Sequence, residues 1–159
     1  MQGIAECEHA LALDRNLAYA HALIGHAKHY ICRDEETEAH VAEALRVSPR
    51  DTMAYLWMFI AGVARLHLGD WEQAVLWSRR SIEANRNYAR AHFALAAALA
   101  QLGRLEEAHS AVKTGLALDP AFAISRLRTN LAARTGNPTY LARLEPGFDG
   151  MRKAGVPEQ

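Results

Sequence analysis

The chain has 159 residues, half of them hydrophobic, with Ala and Leu dominant and only five prolines. That length supports one compact domain, and the composition favours helices over strands or disorder. Lys plus Arg and Asp plus Glu each number 18, so the zero formal net charge argues against a nucleic-acid binder.

The first predicted element is a helix within 3–15, which has the pattern of the second half of a helical hairpin. Ile4, Cys7, Ala10 and Leu11 recur at spacings of three and four and give this helix an apolar stripe. One side of the stripe has no partner helix, so we predict self-association through Ile4, Cys7 and Leu11 as a homodimer. A frayed helix in a monomer and a start that truncates a longer protein are the alternatives.

Four short segments of the chain have similar sequences and nearly even spacing. Residues 10–15, 44–49, 81–86 and 115–120 have starts that lie 34, 37 and 34 residues apart. Gly69 and Gly103 share one slot of this register, and both are expected to end a helix in the left-handed conformation. The period of 34 is that of the tetratricopeptide repeat. We therefore predict an all-α fold, an α-α superhelix of stacked helical hairpins with a C-terminal helical cap.

The predicted divisions follow from this register. They are a half repeat at 3–15, repeats at about 17–49, 52–86 and 88–120, a capping helix at 121–133 and a helical tail at 134–159.

The sequence resembles tetratricopeptide repeats but differs from their pattern at several positions. Arg15 and Arg86 replace the terminal proline, and His21 and His92 occupy the usual aromatic slot. In the first hairpin Cys32 stands in the slot of the turn glycine, and Thr37 stands in that of the crossing alanine.

The second hairpin holds the longest apolar run, and the tail holds a predicted break. At 12 residues the run over 53–64 is too short to span a bilayer, so we expect no membrane segment. Asn137-Pro138 has the pattern of an N-cap followed by a first-turn proline, and Pro146-Gly147 is expected to break the tail helix.

No signal peptide opens the sequence, and the two cysteines are typical of a reducing compartment, so we expect a cytoplasmic protein.

The first helices of tetratricopeptide hairpins line a concave groove, which is the predicted partner-binding site. Helical spacing selects one face of each first helix. These faces carry Tyr19, Ala22, His26, His29 and Tyr30; Leu56, Phe59, Val63, Leu66 and His67; and Arg90, Phe93, Ala97, Ala100 and Gln101. Only Arg90 among them suits a carboxylate, so we expect apolar or aromatic partner segments and no tight binding of acidic C-terminal peptides. The alternative is that part of this face is core or lies under the tail.

Metal and catalytic sites are not expected. His26 and His29 lie three apart on one helix, but no third ligand stands at a convincing spacing. The acidic turn at 34–38 is interpreted as a solvated helix start, since carboxylates favour that end of the helix dipole. No nucleophile motif or phosphate-binding loop is present in the sequence, so we predict no enzyme activity and no cofactor.

Residues 47–51, 97–108, 125–128 and 151–158 carry a further resemblance. They are similar to the C-terminal tetratricopeptide region of bacterial class III adenylate/guanylate cyclases, although Pro146 departs from that family's continuous tail helix. The resemblance implies a regulatory or assembly region without cyclase activity. We therefore predict a non-catalytic protein-interaction or scaffold module. Its alternatives are a self-assembly unit and, more weakly, a metal-responsive helical domain.

Overall fold

The computed structural model describes residues 2–159, and these residues form helices and no strand. The predicted all-α class is confirmed. The helices are α1 Gln2–Leu13, α2 Ala18–Tyr30, α3 Asp34–Val47, α4 Ala54–Leu68, α5 Trp71–Ala84, α6 Ala89–Gln101, α7 Leu105–Leu118, α8 Ile124–Arg134, α9 Pro138–Arg143 and α10 Glu145–Lys153. Within 2–159, no helix is both long enough and apolar enough to cross a bilayer.

The helices stack as successive hairpins. α2 packs on α3, α4 on α5 and α6 on α7, and each hairpin packs on the next. The first helices α2, α4 and α6 also contact one another in turn, whereas the corresponding contacts between the second helices are sparse. The array therefore curves with α2, α4 and α6 on its inner side, which is the predicted superhelix.

The hairpin turns follow the repeat register. Gly69 and Gly103 have φ values of 73° and 75°, as expected for left-handed caps. Cys32 occupies the same slot with φ 62°, which a side chain rarely adopts. Such a residue costs about 1–2 kcal/mol in this conformation, so surrounding contacts must hold the first turn in place.

The departures from the repeat pattern have a structural explanation. His21 Nε2 lies 3.2 Å from the Arg15 carbonyl oxygen, and His92 Nε2 lies 3.1 Å from that of Arg86. The same hydrogen bond thus recurs in two hairpins where Arg replaces the terminal proline. Thr37 is fully buried, and its hydroxyl donates to the Gly25 carbonyl oxygen at 3.1 Å.

The tail folds back onto the array. Asn137 caps α9 by accepting hydrogen bonds from the backbone N–H groups of Thr139 and Tyr140, as predicted. The break falls at Leu144, between α9 and α10, rather than at Pro146-Gly147. Pro146 instead lies in the first turn of α10. A backbone N–H at that position has no acceptor within the helix, so proline costs no hydrogen bond there.

The chain end also joins the array. The Pro157 and Glu158 carbonyl oxygens accept hydrogen bonds from the backbone N–H groups of Ile124 and Ser125, each at 3.0 Å. These donors open α8 and would otherwise have no partner inside the helix. The last residues therefore close a loop that holds α8, α9 and α10 together.

A groove half covered by the tail

The predicted groove residues fall into four environments: a cavity, an exposed edge, the core and the contact with the tail. Ten of them line a cavity of about 210 Å³ on the inner side of the array: His26, His29, Tyr30, Leu56, Phe59, Val63, Leu66, His67, Arg90 and Phe93. Tyr19 is 61% exposed at the start of α2. Ala22 is buried in the core formed with Val41 and is not available on the groove surface.

Two more predicted residues, Ala97 and Gln101, lie under the tail, and Ala100 is buried in the core. α10 packs along α6 so closely that a Cβ on Gly150 would overlap the Ala97 carbonyl group. Gln101 donates to the Pro146 carbonyl oxygen and accepts from Lys153 at 3.0 Å. Ala97 and Gln101 are therefore contacts of the protein's own tail.

The tail divides the groove into two halves. The covered half consists of His29, Tyr30, His67, Ala97 and Gln101, which lie towards the ends of α2, α4 and α6. The open half consists of Tyr19, Leu23, Leu56 and Phe59, which lie nearer the starts of α2 and α4. In the open half Tyr19 and Leu23 are 61% and 38% exposed.

α9 joins the covered half through an aromatic contact and a buried polar network. The Tyr140 ring stacks on Tyr30 with centroids 5.1 Å apart, and its hydroxyl lies 3.3 Å from His29 Nε2. Asp34 has a fully buried side chain. Its Oδ1 lies 2.6 Å from His29 Nδ1, and its Oδ2 accepts from Arg143 at 2.9 Å.

The same network holds the strained turn. Arg143 also donates to the Cys32 carbonyl oxygen at 3.0 Å, and the Asn137 side-chain amide lies 3.7 Å from Cys32 Sγ. The turn that carries a non-glycine residue at positive φ is therefore the turn that the tail contacts. These contacts explain how the chain tolerates Cys32 in the glycine slot.

The network fixes the charge of Asp34. Burial alone raises the pKa of this carboxyl, but the His29 hydrogen bond and the nearby His67 ring outweigh it and hold the pKa below its ordinary value. Burial lowers the pKa of His67, although the carboxylate opposes that shift. At neutral pH Asp34 is therefore an anion that accepts from His29 and Arg143.

His29, Asp34 and His67 could also hold a metal ion, because one ligand atom from each lies within 4.8 Å of the others. His67 has both ring nitrogens buried without a hydrogen-bond partner. However, His29 Nδ1 and Asp34 Oδ1 are at hydrogen-bond distance, and the Arg143 guanidinium already neutralises the carboxylate. We interpret the cluster as an ion network, and the absence of a metal stays a prediction.

The cavity is apolar with a basic side. Its walls include Phe59, Phe93, Phe122, Leu131 and Phe148, and Arg90 and Arg134 also line it. Burial and the charges of His29 and these two arginines lower the pKa of His26 to about 4, so His26 is neutral at physiological pH. The cavity lies where α4 and α6 face the capping helix α8 and the tail helix α10.

Sequence reasoning missed three residues of this site. Asp34 was expected to be solvated and is instead buried, because the tail covers it. The repeat register does contain a signal for this burial. Asp34 is at the repeat position that Trp71 and Leu105 occupy in the later hairpins, and both of those residues are apolar. Tyr140 and Arg134 gave no such signal, since the sequence pattern of the tail does not show where it docks.

The N-terminal helix makes few contacts. α1 packs mainly on α2, and none of its residues within Gln2–Leu13 is fully buried. Ile4, Cys7 and Leu11 are half-buried, and Leu13 is 79% exposed. The predicted self-association through Ile4, Cys7 and Leu11 stays a prediction.

Comparison with known proteins supports the repeat architecture. Residues 89–122 match the tetratricopeptide repeat family. A search of curated proteins gave no match.

Solved structures with the same fold cover most of the chain. The crystal structure of MamA has a TM-score of 0.69 at 18% identity and covers 94% of this chain and 87% of that one. YrrB, a TPR protein with an unusual peptide-binding site, has a TM-score of 0.65 at 23% identity, with 92% and 75% covered. The first TPR of Spaghetti (RPAP3), bound to the HSP90 peptide SRMEEVD, has a TM-score of 0.61 at 17% identity, with 85% and 93% covered. These likenesses show the tetratricopeptide-type fold.

Proposed function

We propose that the protein is a non-catalytic interaction module that binds an apolar or aromatic segment of a partner protein in the open half of the groove. The observation that carries the proposal is an apolar strip on the inner helices: Tyr19 and Leu23 are exposed one turn apart on α2, and Leu56 and Phe59 are half-buried near the start of α4, the next inner helix. Scattered exposed hydrophobic residues are ordinary, but a contiguous strip in a concave surface is typical of an interaction site. Peptide binding by YrrB and by the Spaghetti repeat supports this use of the fold.

The partner's chemistry follows from the strip. Its residues are aromatic and aliphatic, so affinity comes from burial of apolar side chains at about 25 cal/mol per Å². The tail already covers the end of the groove that holds Ala97 and Gln101. A partner segment would therefore run across the starts of α2 and α4 and stop against the tail.

Selection from a random peptide library tests the proposal. We expect selected peptides to be enriched in apolar and aromatic residues and to lose at least tenfold in affinity in the double variant Tyr19→Ser, Leu23→Ser. Leu76→Ser is the matched control, because Leu76 is 53% exposed on α5, away from the groove. Selected peptides that bind the double variant as tightly as the wild type would refute the groove as the binding site.

The similarity to cyclase C-terminal regions gives the proposal a more specific form. We propose that the module is the regulatory C-terminal part of a bacterial, cytoplasmic cyclase-like protein. The reading frame upstream of Met1 tests this directly. A cyclase catalytic domain encoded in that frame would support the parentage, and an unrelated upstream gene would refute it.

Self-assembly is the second candidate function. It is favoured by α1, whose apolar stripe of Ile4, Cys7 and Leu11 stays half-exposed. Two such ends would cover each other in a two-fold dimer. Light scattering distinguishes the candidates, since a partner-binding module needs no dimer, whereas a self-assembly unit does.

A further inference from the structure

The cavity between the array and the tail has the features of a binding site for a small molecule. Its volume is about 210 Å³, and aromatic rings from both the array and the tail form its walls. A dry apolar cavity of about 150 Å³ is known to admit benzene. This cavity is therefore large enough for an aromatic ring with a short chain or for a chain of several methylene groups.

The charges at the cavity are unbalanced. Arg90 from α6 and Arg134 from α8 line it, and among residues 2–159 its lining contains no carboxylate. The arginine ion pairs of the described chain involve other arginines, such as Arg79 and Arg143. Arg90 instead lies 5.4 Å from the centroid of the Phe59 ring.

A neighbouring cavity of about 170 Å³ shares Arg90 and Arg134 and adds Asp119 and Arg126. Asp119 forms no ion pair within 4 Å with either shared arginine in the described part of the chain. Two guanidinium groups beside an apolar space repel each other unless an anion lies between them. Arginine and carboxylate pair through two parallel hydrogen bonds, which suits a carboxylate better than a neutral head group.

We propose that this cavity binds a small amphipathic carboxylic acid, with its apolar body among Phe59, Phe93 and Phe148 and its carboxylate between Arg90 and Arg134. The proposal goes beyond partner docking: Leu56 and Phe59 border both sites, but the exposed Tyr19 and Leu23 do not line the cavity. Such a ligand contacts α4 and α6 on one side and α8 and α10 on the other. It therefore stabilises the closed position of the tail, and the melting temperature rises with its concentration.

The test uses 3-phenylpropionate and octanoate as probes, with their neutral amides as controls of the same shape. Calorimetry at pH 7 on the full chain is expected to give sub-millimolar binding of at least one acid and at least tenfold weaker binding of its amide. Arg134→Gln is expected to weaken binding of the acid at least tenfold. Arg134 is exposed, so this substitution leaves the fold intact.

Two further variants locate the binding. Arg126→Gln is the matched control, because Arg126 lies on the same helix and lines only the neighbouring cavity. Val63→Phe, at a half-buried position of the wall, fills the cavity and is expected to abolish binding while circular dichroism stays helical. No binding of either acid at millimolar concentration, equal binding of acid and amide, or an equal loss in Arg126→Gln would each overturn the proposal.

Discussion

Asp34 connects the first hairpin to the tail, so Asp34→Asn is the sharpest perturbation of the covered half of the groove. The substitution keeps the shape of the side chain and removes its charge. Arg143 and His29 then lose an ionised acceptor at 2.9 and 2.6 Å. A hydrogen bond to a charged group contributes about 1.5–3 kcal/mol, and one weaker bond to Asn survives.

The expected loss of stability at pH 7 is therefore about 2–4 kcal/mol. It falls below the upper limit for a fully buried ion pair, because the Arg143 side chain is 32% exposed and water recovers part of its solvation. A domain of this size has a free energy of unfolding of about 5–15 kcal/mol, so the change is large enough to measure. The tail should detach before the array unfolds, since one of the two weakened contacts, that with Arg143, is the ion pair that joins the tail to Asp34.

The effect has a defined pH dependence. The pKa of Asp34 in the folded protein lies below its ordinary value. A carboxyl with a lowered folded pKa stabilises the protein above its unfolded pKa of about 3.9, and the contribution is lost as the pH falls through the folded pKa. The difference in free energy of unfolding between the wild type and Asp34→Asn should thus be complete above about pH 5 and should disappear in stronger acid.

Urea unfolding followed by circular dichroism measures the change, with Glu35→Gln as the control. Glu35 lies beside Asp34 in the first turn of α3 but is exposed. We expect the control to lose less than about 0.5 kcal/mol in free energy of unfolding. An Asp34→Asn protein as stable as the control at pH 7, or a difference that grows in acid, would refute the buried ion network.

Four further outcomes follow from the same structure. Gly150→Ala should destabilise the protein by about 1–3 kcal/mol in urea unfolding, because the added methyl overlaps the α6 backbone; an unchanged midpoint contradicts the close approach. Purified protein should carry no stoichiometric zinc after gel filtration, and zinc that is retained but lost in His67→Ala would show a metal site. Acidic C-terminal peptides should bind no better than millimolar by calorimetry, and micromolar affinity lost in Arg90→Ala would refute this. Light scattering should show a dimer that dissociates in Leu11→Glu, whereas a strictly monomeric mass at high concentration rules the dimer out.

The fold was predictable because its signals are local and repeated. Gly69 and Gly103 mark their turns wherever the chain later packs, and their positive φ values confirm the assignment. His21 and His92 were placed in the aromatic slot by register alone. Their shared hydrogen bond to the Arg15 and Arg86 carbonyl groups shows that the two slots have the same environment.

The covered half of the groove was not predictable in the same way. Tyr140 reaches His29 across 111 residues of sequence, and nothing in the tail's pattern shows this pairing. The close approach of Gly150 to Ala97 depends on backbone shape rather than on residue type. Asp34 was interpreted by the common behaviour of acidic residues at helix starts, although its slot in the register is apolar in the later hairpins.

The central claim is that the protein's own tail occupies one half of the groove and leaves the other half open. Nuclear Overhauser effects between side-chain protons of Tyr140 and Tyr30 test it most directly, because the two rings are stacked 5.1 Å apart. We predict strong cross-peaks between these rings and between Gly150 and Ala97, with none from the tail to Tyr19. Random-coil chemical shifts across 138–154, without those cross-peaks, would contradict the claim.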